Sequence, residues 1–285
     1  MNNFREMTQS HNVELSLDAM KANAPSVFAE APHTEVSNKY GFVPTIQVIE
    51  GLKNEGWLPV DATQKNVRHA DKQDFTKHLI RFRRLQDDIK VGDSAVELLL
   101  TNSHDRSAAF VLHAGIFRMA CANGIVIADS TFNKVSVRHN QNALEDVIEG
   151  SYQVLEEVPL ITNEVESMQG VILTRKEQEI FAGAALDYML PEPKEGEAKI
   201  VTSRESLIKQ ALRHKRSSDT GADLWSTYNV VQEKALRGGL SSHKINAKGQ
   251  YRRNTTRAVK SIDKNVKLNK ALWEMAVQMK ELKAA

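Results

Sequence analysis

In the segment KHLIRFRRL, Ile80 and Phe82 are interleaved with Arg81 and Arg83. That period of two predicts a half-buried strand whose outer face is basic. SAVELLLTN and SAAFVLH predict two further strands around a polar turn of Asn102, Ser103, His104 and Asp105, and IVIAD and KVSVRH predict two more. Between these pairs, AGIFRMACANG predicts a short helix closed by Asn123 and Gly124. Ahead of the strands, VPTIQVIEGLKNEGW groups Ile46, Val48, Ile49 and Leu52 on one helical side, with Pro44 suiting the first turn and Gly56 the end. Residues 1–36 are polar and irregular and predict a flexible arm.

From residue 143 the spacing turns helical. ALEDVIEGSYQVLEEV places Leu144, Val147, Ile148, Tyr152 and Leu155 among carboxylates, and Pro159 is expected to kink or end that helix. Thr174 and Glu177 form a capping-box pattern opening RKEQEIFAGAALDYML. SRESLIKQALRHKR and ADLWSTYNVVQEKALRGG predict helices, the latter closed by Gly238 and Gly239. LSSHKINAKGQYRRNTTRAVK has no sustained apolar face and reads as a long basic loop before a terminal helix carrying Val266, Leu268, Leu272, Trp273 and Met275. The expected fold class is α+β: an N-terminal antiparallel β-meander packed on helices, then a helical C-terminal region. The corresponding divisions are an arm at 1–36, a core domain at 37–190, a linker at 191–202 around the PEPKEGE stretch, and a basic helical region at 203–285.

Composition adds exclusions. The 285 residues are 41% hydrophobic and 26% charged, within the globular range, so fibrous and wholly disordered classes are set aside. No apolar run approaches a membrane span, and MNNFREMTQSHNVELS has no apolar signal core, so a cytoplasmic location without membrane association is expected. The single cysteine, Cys121, lies in an apolar run and is read as a packed thiol rather than a nucleophile or part of a thiolate zinc site. Net charge is only +2, yet it is segregated: residues 1–140 sum to zero, 141–200 to −9 and 201–285 to +11. Such segregation suits self-association through complementary surfaces, or a polyanionic partner.

No triphosphate-binding loop, dinucleotide fingerprint, zincin motif or nucleophile elbow is present, so no cofactor, metal or catalytic residue is assigned. His104 with Asp105 and His139 with Asn140 are the histidines to consider as nuclease or metal ligands, against the alternative that they satisfy local hydrogen bonds. The basic groups are more informative. Arg81, Arg83 and Arg84 on one strand and Lys134 and Arg138 on another can spread guanidinium and ammonium groups over a sheet face, where phosphate oxygens are their natural complement. The alternative is a helix on that face, with Glu145, Asp146 and Glu149 neutralising the arginines. From His243 to Lys260 the chain holds Lys244, Lys248, Arg252, Arg253, Arg257 and Lys260 without an acid, and Tyr251 offers a ring for base stacking.

The Gly56-Trp57 pair, the strand HLIRFRR, the FRMACANGIVI segment, WSTYNVVQEKALRGG and the LNKALWEMA helix together resemble a bacterial protein family of unknown function carried on prophages and mobile elements. The likeness runs from about residue 40 to 280 and is carried best by Cys121 to Gly124 and by Asn229, Gln232 and Glu233. A helix ending in Gly-Trp, followed by a meander and a returning helix, is similar in architecture to single-strand annealing recombinases. That resemblance implies a ring or filament that holds single-stranded DNA in a basic groove without nucleotide. The expected function is therefore ATP-independent single-stranded DNA binding and annealing by a homo-oligomer in phage or plasmid recombination, with Arg81, Arg83, Arg84, Lys134, Arg138, Lys244, Lys248, Tyr251, Arg252, Arg253 and Arg257 as contacts. A metal-dependent nuclease and a non-enzymatic inhibitor of a host protein are the alternatives.

Overall fold

Alternation along the middle of the first half builds an antiparallel meander. The computed structural model describes residues 14–36, 40–67, 70–84, 90–91, 94–118, 123–127, 134–193, 197–246 and 249–284. Strands β1 (Trp57–Gln64), β2 (His78–Arg84), β4 (Ser94–Asn102), β5 (Phe110–Arg118) and β6 (Asn123–Ile127) pair in that order; β3 (Lys90–Val91) joins β4, and β7 (Val135–Val137) joins β5. Register sets Ile80 opposite Leu100, Phe82 opposite Leu98, and Leu100 opposite Leu112, so one face is a continuous apolar surface. Two helices cover it. Helix α2 (Thr45–Asn54) buries Val48, Ile49 and Leu52, and helix α3 (Ala143–Gly170) buries Val147, Val154 and Val158. Gly150 permits the close approach of α3: a β-carbon there would lie 2.7 Å from Val135 Cγ1.

The meander and its helices are as the periodicity predicts, with four differences. The expected helix from Ala114 is strand: Ala114 pairs with Leu98 and Ile116 with Val96, and both bury their side chains in the core. Cys121 lies outside the described residues. Strand β1 gave no alternating signal, because Pro59 sits in it and the register shifts between Pro59 and Asp61. The expected arm is packed from residue 14 on: helix α1 (Leu17–Asn23), capped by Ser16, buries Met20, and the 3-10 turn Pro25–Phe28 buries Ser26 and Val27. Its apolar residues are few and irregularly spaced, so their burial does not show as a period. Helix α3 runs through Pro159, which is exposed, while Val158 before it and Ile161 after it keep the buried stripe unbroken.

The chain divides into two compact units, residues 1–161 and 162–285. In the second, helix α4 (Arg175–Met189) opens on the capping box in which the Thr174 hydroxyl accepts from the Glu177 amide and the Glu177 carboxylate accepts from the Thr174 amide. Lys283 also donates to that carboxylate at 2.9 Å; this bond, then those from Thr174, hold its pKa down at about 2. Helices α5 (Arg204–Ala211), α6 (Leu224–Arg237) and α7 (Ile262–Ala284) complete the layer. Its core is aromatic: Trp225 stacks on Tyr228 at 5.5 Å, and Trp273 meets both edge-on. The expected basic loop is instead a hairpin, β9 (Ser241–Ile245) with β10 (Tyr251–Thr255), extended on the β9 side by β8 (Lys199–Ile200) from the expected linker. Among the described residues no helix is long and apolar enough to cross a membrane.

Candidate nucleic-acid interface

Arg81 and Arg83 lie on the face of β2 opposite to Ile80 and Phe82, but they are not displayed. Arg81 Nε donates to Glu97 Oε2 at 2.6 Å and its Nη2 to Oε1 at 2.9 Å, and it also reaches Asp61 at 3.3 Å. Arg83 donates to the same Glu97 Oε1 at 2.6 Å. Glu97 is 1% exposed and Arg83 5%. Burial by itself would lower the Arg81 guanidinium; the charge and hydrogen bonds of Glu97, with Asp61 behind them, outweigh it and the pKa is raised. The expected basic face at Arg81 and Arg83 is therefore corrected to an internal charge cluster. Its carboxylates come from the neighbouring strands rather than from Glu145, Asp146 or Glu149 on α3. Arg84 lies over the Trp57 ring, 5.8 Å from its centroid.

Lys134 and Arg138 flank β7 and are exposed. In the strand order β2, β4, β5, β7 they stand three strands from Arg81 and Arg83, roughly 14 Å at ordinary strand spacing. The two sets do not form one patch.

His104 and His139, each considered with its neighbour Asp105 or Asn140 as a ligand, take part in local hydrogen bonds and ring stacking. The Thr45 hydroxyl lies 2.9 Å from His104 Nε2 and 3.1 Å from His78 Nε2 and accepts from Asn102 Nδ2 at 3.0 Å; Ser26 Oγ lies 2.9 Å from His78 Nδ1. One hydroxyl can donate only once, so the two rings take complementary roles at Thr45, one accepting and one donating. His139 stacks on Tyr40 at 4.5 Å. Burial chiefly lowers all three imidazoles, His78 to about 4 and His104 to about 3. Among the described residues no group of three metal-ligating side chains occurs.

The hairpin of the second unit is where cations face water. Register pairs Arg253 with His243, Tyr251 with Ile245 and, across β8, Lys199 with Ile245. These side chains share one face, and Lys199, His243, Tyr251 and Arg253 are all exposed, Tyr251 by 69%. The opposite face carries Ser242, Lys244, Arg252 and Asn254; there Ser242 is buried and Lys244 and Asn254 half-buried, while Arg252 stays exposed. Arg257 follows the hairpin, exposed, and Lys248 lies outside the described residues. No Asp or Glu occurs in the three strands, and Glu197, exposed and two residues before Lys199, is the carboxylate closest to them in sequence. Lys199 and His243 were not expected as contacts, because reading the segment as a loop gives no register and no face.

Two features aim this sheet. Gly238 ends α6 at φ +72° and ψ −150°, and a β-carbon there would lie 2.4 Å from the Thr256 carbonyl oxygen. Gly239 then donates its amide to that same carbonyl, and the Leu240 amide donates to the Thr256 hydroxyl. Gly238→Ala is expected to loosen the hairpin while leaving α6 folded, seen as faster amide exchange across 241–255; unchanged exchange there would show that Gly238 is dispensable. Within α6 the Asn229, Gln232 and Glu233 motif is internal. Glu233 accepts from Lys215 and Arg216, Gln232 Nε2 donates to Asn269 Oδ1 at 3.0 Å, and Asn229 Nδ2 donates to the Trp225 carbonyl at 2.8 Å. The motif ties α6 to α7 and to the turn after α5, and α5 itself holds β9 through the Gln210 side chain, which donates to the Ser241 carbonyl at 3.0 Å and accepts from its amide at 2.8 Å.

Residues 32–273 match the family model described as a domain of unknown function, DUF932. Two proteins of Escherichia coli (strain K12), UPF0380 protein YafZ and UPF0380 protein YfjQ, are each 39% identical to this chain over 252 residues, covering 88% of it and 86% of the relative. No solved structure matches it. With the model matched over 32–273 and two relatives 39% identical over most of its length, the chain belongs to the DUF932 family.

Proposed function

We propose that this protein binds single-stranded DNA and promotes annealing of complementary strands without ATP, as an oligomer serving recombination on phages or plasmids. The observation that carries the reading is the acid-free hairpin: Lys199, Lys244, Arg252, Arg253 and Arg257 make no ion pair with the described residues. A cluster of like charges whose strands carry no carboxylate is relieved by a polyanion. The meander backed by helices is compatible with the likeness to annealing recombinases. Mechanistically the task is positioning: cations offset the repulsion between two phosphate backbones while the bases stay open for pairing.

Fluorescence anisotropy with a labelled oligonucleotide tests this. If roughly four phosphates are neutralised, affinity falls about 50-fold between about 50 and 200 mM salt, from a slope near −0.7 per phosphate. Mixing labelled complementary strands with the protein, without nucleotide, is expected to speed pairing. Affinity indifferent to salt, or pairing at the spontaneous rate, removes the proposal.

A further inference from the structure

We infer that a single strand is read by one face of the β8–β9–β10 sheet only, with a base stacked on Tyr251 and phosphates met by Lys199, His243 and Arg253. This rests on the proposal above and sharpens it into a selection for unpaired nucleic acid. Tyr251 and Arg253 are two residues apart on one strand, hence about 7 Å apart on the same face. Arg253 stands directly across from His243, and its Nε reaches the Ser241 hydroxyl at 3.4 Å, which lays the guanidinium over β9. Tyr251 is across from Ile245, whose other neighbour is Lys199. A ring thus sits among donors on a face to which the described strand residues contribute no carboxylate.

An exposed phenol in that setting has a use only when a base can leave its own stack. In duplex DNA the faces of the bases are occupied by one another, so the ring adds nothing and phosphate contact alone remains. In a single strand every base offers a free face, and stacking adds to the cationic contacts. The opposite face is excluded by its own packing: Ser242 is buried, with Asn254 Nδ2 donating to its hydroxyl at 3.3 Å, so Arg252 and Lys244 extend from a surface committed to the interior.

The test uses the full chain with a labelled single strand and the matching duplex. Arg253→Glu is expected to weaken single-strand binding by more than tenfold and Arg252→Glu by no more than about threefold. Tyr251→Ala should cost about tenfold on the single strand and leave duplex affinity unchanged, whereas Tyr251→Phe, which keeps the ring, should bind as the parent does. The three side chains, Tyr251, Arg252 and Arg253, are exposed, and circular dichroism verifies that each variant is folded. Equal losses for the two arginines, or unaltered single-strand affinity in Tyr251→Ala, would overturn the one-face reading while leaving polyanion binding in place. Absence of single-strand affinity in the parent chain would overturn both.

Discussion

Glu97→Ala is expected to destabilise the first unit by about 3–5 kcal/mol, the usual cost of removing one partner from a buried ion pair. Glu97 is held between two guanidiniums, with three charge-assisted bonds of 2.9 Å or less, in a site almost closed to water. Without the carboxylate, two like charges face each other at low dielectric, and Asp61, at 3.3 Å from Arg81 alone, does not replace it. Amide exchange across β2, β4 and β5 reads the loss within that unit. A combined replacement of Arg81, Arg83 and Glu97 by apolar residues of similar volume is expected to cost far less than Glu97→Ala, since it removes the buried charges together and leaves Asp61, which is half-exposed, to water. An alanine variant with native exchange rates would show that the cluster is not buried as described.

Acid should also act on the first unit, well above the range in which carboxylates titrate. His78 and His104 are held at about 4 and about 3, against 6.5 for a free imidazole, mainly because burial penalises the charged ring. The unfolded chain therefore takes up protons between those values and 6.5 that the folded chain refuses. Stability is full above about pH 6.5 and falls as the pH drops, by about 2 kcal/mol for each ring at pH 5. The charged or titratable neighbours are His139, which opposes protonation of both rings, and Asp105, which favours it weakly. Denaturant unfolding followed at pH 7.5 and pH 5 measures the effect, and a His104→Gln variant should show roughly half of it. Equal stability of the parent chain at both values would mean that the imidazoles are not excluded from water.

The two predictions come from side chains whose sequence reading differed. The alternation around Arg81 and Arg83 correctly gives a strand and a face, because a pleated chain sends successive side chains to opposite sides. It does not say what stands opposite. Glu97 lies in the run SAVELLLTN, where a lone carboxylate between apolar neighbours carries no hint of two arginine partners sixteen and fourteen positions earlier. His78 at a strand start, His104 in a polar turn and Thr45 at a helix start are likewise distant in sequence, and nothing local to any of them brings the three together.

What the amino-acid order determined alone is local: the helices over Thr45–Asn54, Arg175–Met189 and Leu224–Arg237, the capping box at Thr174, the strands around Ile80 and Leu98, and the acid-free cationic stretch before the last helix. Each follows from periodicity, caps or composition, which act within a few residues. Tertiary structure decided which cations are spent inside the protein and which face water, and it turned an apparent loop into a two-faced sheet. Register between strands distant in sequence assigns every side chain to a face, and only burial tells a neutralised arginine from a free one.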